Sequence, residues 1–253
     1  MALKIRVMPT LLYKDLGLVK GKGFDSWRRT GSIMQTVKVY NMREVDEMVF
    51  LDITATRQNR RPDFEMVDEI ADECFMPLTV GGGIRTVDDV RQLLMVGADK
   101  ISLNSAAIDS PELIRDVARR FGSQCVVISI DFRKHADGQY EVFAESGSQP
   151  TGLDPVEWAK KAENYEAGEI LLTSADRDGT MTGYDIELTK RVADAVSIPV
   201  IASGGCGEYE HMAQVLSQAG VSAVAAGAIY HFTQRTPLEA KKYLRERGFN
   251  VRL

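Results

Sequence analysis

Glycines and small hydroxyl residues recur in this chain at places where a backbone can wrap an anion. Gly81-Gly82-Gly83 with Asn104-Ser105 form one group, and Gly179, Ser203-Gly204-Gly205 and Gly227 form a second. Glycine has no Cβ, so its N–H groups approach an oxyanion closely, and a run of such donors binds phosphate without many cationic side chains. The same glycines also suit tight strand-to-helix turns that need no ligand. The duplication favours phosphate, because two groups at corresponding places suit a small molecule phosphorylated at each end. No cofactor is suggested. Cys74, Cys125 and Cys206 lack the spacing of a zinc cluster or of a disulfide framework, so no metal is expected and a reducing cytoplasm is.

Short apolar runs precede these groups, and helical patterns follow them. The runs are Ile5 to Leu11, Met48 to Ile53, Leu78 to Val80, Lys100 to Leu103, Val126 to Ile130, Ile170 to Thr173, Val200 to Ala202 and Ala223 to Ala226. With helices such as DDVRQLLMVG and PELIRDVARRFG between them, they predict βα units closing into a (β/α)8 TIM barrel with right-handed crossovers. No Pro/Ser-rich linker divides residues 1–253, so a single domain is expected. In such barrels the C-terminal strand ends carry the chemistry, and both glycine groups fall there.

The chain also repeats at half its length. VDEMVFLDITATR, PLTVGGGI and KISLNSAA resemble AGEILLTSADRDG, PVIASGGCG and SAVAAGAIY, which aligns Asp52 with Asp176 and Gly82 with Gly204. Two half-barrels, about 1–122 and 123–253, follow. Laying VMPTLLYK over VVISIDFR sets Leu12 opposite Asp131.

Composition sets outer bounds. A length of 253 residues with 44% hydrophobic and 26% charged residues fills one large core. The net charge of -5 argues against a nucleic-acid or anionic-membrane partner, while a phosphorylated ligand needs only a locally positive pocket. The segment MALKIRVMPTLLYK is too short and interrupted for a signal peptide, and no stretch approaches a membrane span.

Over nearly its whole length, from Lys4 to the terminal GFNVRL, the chain resembles the cyclase subunit of imidazole glycerol phosphate synthase. FLDITAT, TVGGGI, GADKISLNSAA, FGSQCVVISID, GEILLTSADRDGT and IASGG carry the resemblance. The sugar-phosphate isomerase of the same pathway shares the architecture but is less similar at GEILLTSADRDGT and the C-terminus. The resemblance implies a barrel that receives ammonia from a separate glutaminase subunit. It would cleave and cyclise a bisphosphorylated ribonucleotide to imidazole glycerol phosphate and an aminoimidazole carboxamide ribotide. Two aspartates, ending the first and fifth strands, would act as general acid and base.

Carried over residue by residue, the fifth-strand aspartate is Asp131, but the first-strand position holds Leu12, which cannot transfer a proton. Asp15 lies three residues on and needs a loop excursion to replace it. Asp131 alone suits catalysis or a structural role accepting loop N–H groups. Lys20 matches a lysine of the mobile first loop near the ligand, or is a solvated surface lysine. Gly31-Ser32-Ile33 stands where the family has Gly-Asp-Pro, with Ser32 able to cap a helix.

At the other end of the barrel, the family's ammonia gate maps to Arg6, Glu47, Lys100 and Glu169 on alternate strands, all present here. Asp99 matches a contact to the glutaminase, and ordinary surface salt bridges are the alternative for the four gate residues. PTLLYKDLGLVKG, YNMREVDEMVFLDI and DECFMPL further resemble a paralogous group associated with surface-polysaccharide genes. That group is paired with its own glutaminase and with an amidotransferase acting on an N-acetylated sugar. Three readings follow: a non-cyclising ammonia-channel subunit, an active cyclase of histidine synthesis, and a scaffold that holds a phosphorylated ligand without turnover.

Overall fold

The structure, a computed structural model, describes residues 4–15 and 17–253; the first three residues of the N-terminal segment read above, and Leu16 of the first loop, lie outside these. The first half runs β1 (Arg6–Lys14), β2 (Gly17–Lys22), β3 (Asp25–Gly31), α1 (Ile33–Met42), β4 (Met48–Asp52), α2 (Phe64–Glu73), β5 (Leu78–Gly81), α3 (Val87–Met95), β6 (Lys100–Leu103), α4 (Ser105–Asp109) and α5 (Glu112–Phe121). The second runs β7 (Val126–Lys134), β8 (Tyr140–Ala144), β9 (Gln149–Pro150), α6 (Pro155–Asn164), β10 (Glu169–Ser174), α7 (Ile186–Ala195), β11 (Val200–Ser203), α8 (Tyr209–Ala219), β12 (Ala223–Ala226), α9 (Ala228–Phe232) and α10 (Pro237–Glu246).

Parallel strands β1, β4, β5, β6, β7, β10, β11 and β12 pair in that order, and β12 returns to β1, closing an eight-stranded (β/α)8 barrel. Local chemistry starts the outer helices where the strands end. Asp63, Asp154 and Asp185 cap α2, α6 and α7, and Thr86 with Asp89 and Thr236 with Glu239 form capping boxes on α3 and α10. The main core lies between strands and helices. A second, smaller apolar layer of Met8, Val49, Val127, Leu171, Ile201, Ala223 and Ala225 fills the barrel itself. Among the described residues no helix is long and apolar enough to cross a membrane.

Two expected strands run further than their apolar runs. The first continues to Lys14 and the fifth to Lys134, because beyond the barrel rim each finds an antiparallel partner, β2 and β8 respectively. The first of these hairpins, β2–β3, folds over the C-terminal mouth. Ser32 sits at the N-cap of α1 without a side-chain cap bond; its carbonyl accepts from Thr36 instead.

Strand register defines the half-barrel equivalence. Leu12 pairs with Leu51 and Leu51 with Gly81; Asp131 pairs with Thr173 and Thr173 with Ser203. Leu12 and Asp131 therefore occupy equivalent positions, as the alignment of the two sequences sets them. The expected match of Asp52 with Asp176 is one to correct. Register places Asp52 opposite Ser174, and the carbonyls of these two residues crowd Gly82 and Gly204 in the same way. The aspartate-rich stretch after β10 is displaced by two residues along a loop, where an alignment by residue type follows identity and not backbone position.

Candidate functional site at the C-terminal mouth

At the strand C-termini a cavity holds about 1080 Å³ of empty space up to its open mouth. Gly82, Gly83, Asn104 and Ser105 line it from the first half, and Gly179, Ser203, Gly204, Gly205 and Gly227 from the second. Lys20, Leu12 and Asp131 lie in the same wall. The glycines are required by the fold itself. Gly82 (φ 107) and Gly204 (φ 86) are left-handed, and a Cβ there would sit 2.2 Å from the Asp52 carbonyl and 2.5 Å from that of Ser174. The matching short helices α4 and α9 have Asn104 and Gly227 at their N-caps, so in each half a helix N-terminus lies at the cavity wall.

Asp131 is half-buried at the end of the barrel portion of β7, and the Asn104 amide donates to its Oδ2 at 3.0 Å. Burial first, and then the negative charge of Asp178, push its carboxyl up to about 7, against a hydrogen bond from Ser129 and the positive charge of Arg133. Such a group exchanges a proton near neutrality. Thr10 Oγ1, Ser102 Oγ and Asn104 Oδ1 are buried among the cavity-lining residues with no hydrogen-bond partner in the protein, an arrangement that suits a polar occupant.

Lys20 is not a solvated surface lysine. It projects from β2, is 4% exposed, and donates to both carboxylate oxygens of Asp178 at 2.6 and 2.8 Å. The hairpin carrying it is clamped down. Gly23 N–H donates to the Asp178 carbonyl at 2.8 Å, and the Gly21 carbonyl lies 2.0 Å from where a Cβ of Gly179 would be. Phe24, held at φ 62, packs on Gly147, where a Cβ would lie 2.6 Å from its ring. Asp15, the potential substitute acid, is exposed at the turn between β1 and β2 and does not line the cavity.

Sequence reasoning missed Asp178, Phe24, Trp27 and Ser129, all of which line the cavity. Asp178 carried a signal, since it precedes Gly179 in a segment that resembles the family. The aromatic pair carried none without the hairpin.

At the opposite, N-terminal end, Arg6, Glu47, Lys100 and Glu169 meet as a closed ring. Arg6 donates to Glu47 at 2.8 Å and to both oxygens of Glu169, and Lys100 reaches Glu47 at 2.9 Å and Glu169 at 3.0 Å. The carboxylate side chains are 3% and 6% exposed and the cations 23% and 20%, so this is not a set of ordinary surface pairs. Thr79 adds a hydroxyl to Glu47 at 2.8 Å. The expected alternate-strand spacing is corrected: Arg6 on β1 neighbours Glu47 at the foot of β4. Its strand partner is Ala223 on β12. Asp99, next to the ring, is exposed and accepts from Leu78 N–H at 2.8 Å.

A closed (β/α)8 barrel with duplicated glycine turns and an ionisable carboxyl at one mouth, and a charge ring at the other, defines the class. Residues 6–236 match the family model described as histidine biosynthesis protein, and the chain belongs to that family.

Proposed function

We propose that this protein is the barrel subunit of a glutamine amidotransferase complex. Ammonia released by a glutaminase docked on the N-terminal face passes through the charge ring and the barrel interior to the C-terminal mouth. From there it serves the amidation of an N-acetylated nucleotide sugar by a third protein in surface-polysaccharide synthesis. One observation carries this reading: the ring is complete, while the position equivalent to Asp131 is the buried Leu12. Four charges brought together at a barrel foot cost desolvation that an apolar layer avoids, which supports a use for them. Above the ring, the apolar layer suits a small neutral molecule better than an ion. Asp99, exposed beside Lys100, supports a docking contact there. The two glycine turns would hold phosphate groups of a ligand at the mouth.

Cyclisation by the histidine-pathway route is the second reading, and the elevated proton affinity of Asp131 favours it. The scaffold reading draws support from the glycine turns alone.

The test is reconstitution of the purified protein with a candidate glutaminase and a candidate sugar amidotransferase. Glutamine should yield glutamate and amidated sugar in near-equal amounts. Arg6→Ala should uncouple the two, leaving glutamate formation above amidation. Equal coupling in that variant would defeat the channel assignment.

A further inference from the structure

We infer that the Lys20–Asp178 ion pair is a relay through which a dianion in the second glycine cradle makes Asp131 hold its proton, with Asp178 as a positioning residue. The inference rests on the phosphate reading of that cradle. Lys20 is the bridge between the two places. Its Nζ is bound by both Asp178 oxygens at 2.6 and 2.8 Å, while its Cε lies 3.4 Å from where a Cβ of Gly227 would stand. The lysine stem therefore crosses the cradle at Gly227 while its ammonium sits on Asp178. An incoming dianion attracts that ammonium more strongly than a single carboxylate does, in a wall where little water screens the choice.

Asp131 and Asp178 line the same cavity, from the neighbouring strand β7 and the loop after β10, and the negative charge of Asp178 adds to burial in raising the Asp131 carboxyl. From its own strand, Ser129 hydrogen-bonds it and Arg133 faces it. Arg133 is itself engaged by Asp176 at 2.8 Å and the Gly23 carbonyl at 3.3 Å. From β6, Asn104 donates to Asp131; β8 offers the Phe143 carbonyl, which also accepts from Asn104 at 3.4 Å. Asp52 lines the cavity too, but Arg60 at 3.0 Å and the Thr54 and Ala55 N–H groups hold its carboxylate. His231 faces Lys20 and stays neutral near pH 7, because burial first and the lysine's charge second push it down to about 4. Among the described residues, Lys20 is the cation that pairs with Asp178. Drawing Lys20 toward the dianion exposes Asp131 to an uncompensated neighbour, and the carboxyl takes up a proton from solvent.

Sulfate is the probe, since it is a dianion that does not titrate near neutrality. Calorimetry at pH 7 in two buffers of different ionisation enthalpy should show uptake of about 0.4 proton per sulfate bound. Asp131→Asn should abolish that uptake. Carboxyl carbon NMR without any ligand supplies the second readout. The proton affinity of Asp131 should rise about tenfold in Lys20→Met and fall about tenfold in Asp178→Asn. A merely structural pair would leave that titration in place. Sulfate binding without proton uptake, or an Asp131 titration unmoved in Lys20→Met, overturns the relay while leaving the cradle intact. Failure of sulfate to bind at all would remove the cradle, and the relay with it.

Discussion

At the mouth, the two half-barrels share a backbone and differ in chemistry. Leu12, Leu51 and Gly81 occupy in the first half the register positions that Asp131, Thr173 and Ser203 occupy in the second. The glycine turns and short helices are matched, yet at these register positions the first half presents leucine side chains and the second a carboxyl and two hydroxyls. The scaffold of a duplicated barrel is thus separable from its reactive groups. Burying Leu12 stabilises the fold by about 1.5–3 kcal/mol, where a carboxylate at the same place would carry a desolvation cost. A leucine there adds stability and leaves Asp131 as the one carboxylate of the two equivalent positions.

The largest expected effect comes from erasing this asymmetry. Leu12→Asp should raise turnover of the bisphosphorylated ribonucleotide with free ammonium by about two to four orders of magnitude, measured as imidazole glycerol phosphate formed. No rise would mean that the apolar wall has diverged beyond one residue. Next is the opposite end of the barrel, where Glu169→Gln would leave Arg6 and Lys100 with a single carboxylate. A loss of about 2–3 kcal/mol in denaturant unfolding is expected, moderated by the partial exposure of both cations.

Smaller effects test the shared scaffold. Gly82→Ala and Gly204→Ala should each cost about 2 kcal/mol, nearly equally, since both are left-handed and both meet a carbonyl closer than 3 Å. Unequal costs would argue that the halves are less alike than their register. A pH effect at Asp131 tests the other half. Its folded-state pKa lies above the ordinary carboxylate value, so ionisation opposes folding: the penalty is absent near pH 4 and complete above about 7. Asp131→Asn should therefore be more stable than the parent at pH 8, with the gain fading toward pH 4. A constant difference across that range would assign the effect to Asn104 and not to charge.

The barrel strands were legible because their apolar runs end in small residues, and the positions of Leu12 and Asp131 followed from aligning the halves. The β2–β3 hairpin was not legible. GLVKGK and DSWRRTG carry lysines, arginines and glycines with no alternating apolar pattern, and the hairpin's pairing depends on β1 running past the rim. Without the hairpin, Lys20 reads equally as a surface residue, and its bond to Asp178, separated by 158 positions, has no local signature. The ring residues were found by resemblance alone; Arg6 and Glu169 are separated by 163 positions, and closure of the barrel is what brings them together.

The most direct measurement is turnover of the bisphosphorylated ribonucleotide by the purified parent chain at high pH with saturating free ammonium, which needs no glutaminase. With a hydrocarbon side chain at position 12, imidazole glycerol phosphate should not accumulate above the uncatalysed background. Formation at rates matching a competent cyclase would contradict the non-cyclising assignment and show that Asp131 suffices by itself.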